Sequence, residues 1–178
     1  FLYLVEPADE NRGARSLTAH EVASRMSYFL WSTMPDEALF KLAESGRLLK
    51  PRTLKMEVQR MLGDPRSERF VGQFTEQWLD LRALDRVAVN PEFYPKFNIR
   101  VMADMRRETE AFFEEILRND VSALNFLDSD FTMLNERLAK HYGIEGVVGT
   151  EMSRVPLAEN SRRGGLLTQA SMLVGNST

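Results

Sequence analysis

Apolar side chains return every three or four positions along most of this chain, and that spacing predicts helices. The first starts after Thr18, an N-cap with Glu21 three residues on, which is the pattern of a capping box. Val22, Met26, Phe29 and Leu30 make its stripe, and "STMPDE" ends it. A short second helix carries Leu39, Leu42 and Ala43, with Asp36 and Glu37 in its first turn, and Gly46 closes it. Pro51 opens a third, with Leu54, Val58, Met61 and Leu62 on one face, and "GDP" breaks it. From Arg66 the period resumes through Phe70, Val71, Phe74, Trp78 and Leu81, a wide stripe expected to lie at the centre of the core. "RALDRVAVNPEFYP" reads as an irregular connection. The longest helix is expected from about Lys96 to Arg118, and a short one ends at Tyr142 with Gly143 in the left-handed closing position. "GIEGVVG" reads as a loop, "FLYLVE" and "SRVPL" as short strands, and "RRGGLLTQASMLV" as a last helix. The fold class is therefore mainly α, a single irregular multi-helix domain over 1–178 with a minor pair of short strands. Residues 1–16 form a lead-in strand and loop. The apolar character of both ends gives the expectation that this is a segment of a longer chain.

Two charged residues interrupt the stripes. Glu108 lies three after Met105, four before Phe112 and seven after Val101, among the apolar positions of the long helix. Arg25 lies three after Val22 and four before Phe29. A buried acid needs a partner, and an arginine fork suits a carboxylate. A structural ion pair of Arg25 with Glu108 is the reading adopted; snorkelling and a catalytic acid are the alternatives.

Composition narrows the chemistry. With 23 basic and 26 acidic residues, the net charge of -3 offers no footprint for nucleic acid or an anionic membrane. No apolar run reaches the roughly 18 residues that a membrane span needs. The chain has no cysteine, which rules out disulfides, thiolate zinc sites and covalent c-type haem attachment within it.

His20 and His141 are the only histidines, and neither has a glutamate three residues before it, so the acid-rich "RRETEAFFEEIL" does not read as a carboxylate-bridged metal bundle. His141 falls on the apolar side of its helix, in the last turn, where it can donate to free carbonyls. It is read as structural, and as a weak candidate cofactor ligand only if another domain brings a haem. Arg162, Arg163, Gly164 and Gly165 stand at an expected helix start, where exposed amides can hold an anion. The pattern lacks the lysine and the serine or threonine of a phosphate loop. It is a weak anion site, and close backbone packing is the other reason for its glycines. "GNS" is not a nucleophile elbow. The catalytic residues stay unknown and no metal site is assigned.

Five strings in order, "ASRMSYFLWSTMPDEAL", "MLGDPRSERFVGQFTEQWLDL", "RRETEAFFEEILRND", "LNERLAKHYGI" and "RRGGLLTQASML", resemble the planctomycete family catalogued as domain of unknown function 1592. The resemblance runs from about Leu17 to Leu173. It implies a helical module, over 17–173, of a large multidomain exported protein. It further implies c-type haem in neighbouring domains of the same polypeptide, which are the expected partners, and it supplies no catalytic residue to carry over. The functional expectation is a module that packs against and orients cytochrome domains. The alternatives are a non-catalytic scaffold or interaction domain and, third, a hydrolase or carboxylate-metal enzyme.

Overall fold

A computed structural model describes residues 15–90, 92, 94 and 97–176. It is mainly α, with seven α-helices and one two-stranded antiparallel ribbon among the described residues. The expected strand at residues 1–6 lies outside them. The chain divides into two compact units, Phe1–Arg66 and Ser67–Thr178.

The first unit holds α1 (Ala19–Trp31), α2 (Glu37–Glu44) and α3 (Pro51–Leu62). Thr18 caps α1 with the complete capping box to Glu21, and Asp36 caps α2 through the amide of Leu39. The buried face of α1 is turned from the predicted one: it shares Leu30 with it and leaves Val22 and Met26 half-buried. Ala19, Ala23, Ser27, Leu30 and Trp31 are buried, whereas Phe29 is exposed. Small side chains let a helix approach its neighbours closely, so a stripe chosen by the size of its residues picked the wrong side. Trp31 anchors this unit: its indole N–H donates to the Met61 carbonyl at 2.9 Å, and the guanidinium of Arg66 lies 3.5 Å from its ring centroid. Arg66 is held by Asp64 and Asp36, and Arg60 by Asp36 and Glu57.

The second unit holds α4 (Glu68–Trp78), α5 (Ile99–Arg118), α6 (Glu136–Tyr142) and α7 (Ala170–Gly175), with β1 (Phe131–Leu134) and β2 (Ser153–Pro156). Asn98 caps α5 through the amides of Arg100 and Val101, and Asn135 caps α6 through that of Leu138. Gly143 ends α6 at φ 72°, as its place in the sequence predicted. The last helix begins later than expected. A 3-10 turn at Leu166–Thr168 comes first, and α7 runs only from Ala170. Part of the segment 82–95, read as irregular, is the end of a 3-10 helix, Leu81–Arg86.

β1 was not foreseen, and its packing explains why. Phe131 and Met133 belong to one apolar cluster with Phe112, Ile116 and Leu166. Leu134 belongs to another with Val101, Met105 and Leu138. A strand wedged between two clusters is buried at all four positions and shows no alternation. β2 covers it in antiparallel register, Thr132 opposite Val155. On α4, Phe70 and Val71 are buried but Trp78 is 48% exposed, so the expected central helix sits at the edge of its core.

Candidate functional site

The buried residues of α5 recur at helical spacing, and three polar ones stand among them: Asp104, Glu108 and Thr109. Glu108 is 1% exposed. Its two carboxylate oxygens are taken by hydroxyls. Thr132 donates to Oε1 at 2.8 Å from β1, and Tyr142 donates to Oε2 at 2.5 Å from the end of α6. The Tyr142 oxygen in turn accepts from the amide of Ala170, the first residue of α7, at 3.1 Å. This one carboxyl therefore ties α5, β1, α6 and α7 together.

The expected arginine partner is replaced by those hydroxyls. Arg25 stands at an exposed position of α1, because the stripe used to place it is not the buried face of that helix. The arginine beside this cluster is Arg163, whose guanidinium lies 3.6 Å from the Tyr142 ring centroid and donates to the Thr168 carbonyl. Burial pushes the Glu108 carboxyl up to about 7, and the bonds from Tyr142 and Thr132 and the Arg163 charge offset it only in part. The Tyr142 hydroxyl is also pushed well above its ordinary value, by burial and then by the Glu108 charge.

Arg162, Arg163, Gly164 and Gly165 do not form an anion cradle. The Arg163 amide donates to Ser161 Oγ and the Gly164 amide to Thr168 Oγ1, and Arg162 points to an exposed position. The turn that follows is three residues long, so no helix dipole is aimed there. Gly165 has φ +73°, and a Cβ on it would lie 2.5 Å from the Leu127 carbonyl oxygen. Backbone contact with the 126–129 segment is what these glycines permit.

His141 is exposed at the end of α6, its ring 6.3 Å from that of Phe97. Partial loss of water against its neighbours, and the Arg163 charge, lower its pKa from the ordinary value. It lines an open groove of about 610 Å³ with Asn98, Arg137, Lys140 and Thr150. Both cations there are held by carboxylates, Lys140 by Glu136 and Arg137 by Asp104. No three His, Asp or Glu side chains among the described residues are placed to share a metal ion.

Sequence reasoning missed the second buried acid. Asp104, also 1% exposed, is gripped by both Nε and Nη2 of Arg137, the latter at 2.9 Å. The counting that singled out Glu108 marks Asp104 as well, since it lies three after Val101 and four before Glu108. It also missed a hydroxyl–amide chain in which Thr109 Oγ1 donates to Gln169 Oε1 at 2.7 Å and accepts from Ser171 Oγ at 2.6 Å.

A carboxyl titrating near neutrality beside a tyrosine and an arginine has the composition of an acid–base site. What it lacks is room. The cavity touching Glu108 leaves about 10 Å³ for the centre of a water-sized sphere, against hundreds of Å³ for a substrate pocket. The arrangement is a closed polar knot in a helical module. The family described as "Protein of unknown function (DUF1592)" matches residues 17–144, and the chain belongs to that family. No curated protein and no solved structure matches it. The match takes in Glu108, Thr132 and Tyr142 and stops before Arg163 and Gln169. No helix among the described residues is long and apolar enough to cross a membrane.

Proposed function

We propose that this chain is a packing module of a larger exported polypeptide, that it holds neighbouring domains in place, and that c-type haem domains are among those neighbours. One observation carries the packing role: a run of large apolar side chains on the outside of the second unit. Trp78, 48% exposed, meets the ring of Phe126 edge-on at 5.5 Å, and Leu124 and Leu127, which flank Phe126, are 70% and 71% exposed. Beneath them the buried rings of Phe112 and Phe113 join Phe126 to the core, and Phe74, itself partly exposed, packs between Phe113 and Trp78. Apolar surface of this kind is what a neighbouring domain covers. The closed knot around Glu108 supports a structural role for the most polar part of the interior. The haem neighbours and the export rest on the family resemblance, and residues 15–90, 92, 94 and 97–176 supply no cysteine to attach a haem themselves.

The test is the complete gene product made in a host that matures c-type cytochromes. The reading expects a Soret band in that protein and faster proteolysis between module and neighbour in a Trp78→Glu, Leu127→Glu variant. A colourless product that keeps the proteolysis difference reduces the reading to a scaffold without haem. Equal proteolysis of the two proteins overturns the packing role itself.

A further inference from the structure

The knot around Glu108 leaves one donor without a protein partner. Gln169 is buried, its Oε1 is engaged by Thr109, and its Nε2 has no hydrogen-bond partner among the described residues. A buried amide N–H left unpaired loses its hydration with nothing in return, so native chains rarely keep one. The same residue lines the small cavity beneath the Gly164–Gly165 turn, together with Glu108, Thr132, Arg163 and Thr168. Its room of about 10 Å³ for a sphere centre is close to what one water needs and too small for any larger ligand. Each Glu108 oxygen accepts one hydrogen bond; the charged carboxylate keeps a second lone pair on both oxygens, and the protonated acid keeps one on its carbonyl oxygen.

We propose that this cavity is a built site for a single water molecule, which accepts from Gln169 Nε2 and donates to the Glu108 carboxyl. A cation is the wrong occupant for a pocket lined by an arginine and by the glutamine that carries the orphan N–H. Water satisfies both sides, since it offers two donors and two acceptors where the lining supplies one orphan donor and spare lone pairs. The consequence is structural continuity. The carboxyl knot and the Thr109–Gln169–Ser171 chain become one network spanning α5, β1, α6 and the start of α7.

The decisive experiment pairs a crystal structure at a resolution that shows ordered water with oxygen-17 magnetic relaxation dispersion in solution. The expected result is one peak within hydrogen-bond distance of both Gln169 and Glu108, and one fewer long-lived water in Gln169→Met than in the parent. A Gln169 amide bonded to protein, or a parent and variant with equal numbers of long-lived waters, overturns the proposal. So does replacement of the peak by rubidium in a soaked crystal, which identifies a cation instead. If Gln169→Met does not fold, the parent electron density decides alone, and an empty cavity in it refutes the site.

Discussion

Asp104 and Glu108 sit one turn apart on α5, both closed to solvent, and are held in opposite ways. Asp104 receives a guanidinium fork from Arg137 and a further hydrogen bond from Asn135; burial works against its charge, and these partners more than offset it, so its pKa is lowered. Glu108 receives two neutral hydroxyls and the charge of Arg163 without a bond from it, and burial prevails. Two acids closed to solvent thus differ in charge state through both what faces them and how deep they lie: Asp104 is held under the half-exposed Arg137, and Glu108 lies deep among the core residues. Burial sets the penalty for charge, and the partner decides whether the penalty is met.

The largest effect is expected from breaking the charged pair. Arg137→Leu leaves Asp104 closed to solvent and without its fork, and the fall in its unfolding midpoint should be the largest among these variants. Asp104→Leu combined with Arg137→Leu should recover most of it. Urea unfolding of the three variants checks this, and full additivity of the two single losses would show that the pair is not coupled.

The neutral knot behaves differently with pH. The unfolded Glu108 carboxyl has its ordinary value of 4.5 and the folded one about 7, so between these values the folded chain holds the extra proton. Its contribution to stability is complete below 4.5 and is lost as pH rises through 7. Glu108→Gln removes that dependence. Relative to the parent the variant should gain up to about 3 kcal/mol between pH 5 and pH 8, read from unfolding midpoints across the range. A constant difference would mean that Glu108 is charged throughout.

A smaller effect sharpens the contrast further. Tyr142→Phe removes one donor to Glu108 and the acceptor of the Ala170 amide, which should cost about 1 to 2 kcal/mol and raise the Glu108 midpoint further. The same change should leave Asp104 unmoved. Carboxyl carbon-13 shifts of the variant measure both.

How much of this was readable from the chain depends on the range over which each feature is written. Capping is local: Thr18 with Glu21, and Gly143 after Tyr142, are spelled out within a few residues and were found. The burial of Glu108 was also local, since helical counting compares it only with its own turns. Its partners were not, because Thr132 and Tyr142 lie 24 and 34 positions away and carry no charge to attract notice. Arg25 was drawn in because large apolar neighbours suggested a buried face, whereas α1 packs through Ala19, Ala23 and Ser27. β1 escaped because four buried residues in a row show no period. Gly165 announced an unusual backbone, but only the approach to Leu127 shows what the backbone is near.

The most direct test of this account is a pH titration of the side-chain carboxyl carbons of Asp104 and Glu108 in the folded chain. It predicts a midpoint near 7 for Glu108 and, for Asp104, a midpoint below its ordinary value of 3.8. A Glu108 midpoint between 4 and 5, or an Asp104 that takes up its proton near neutrality, would contradict it.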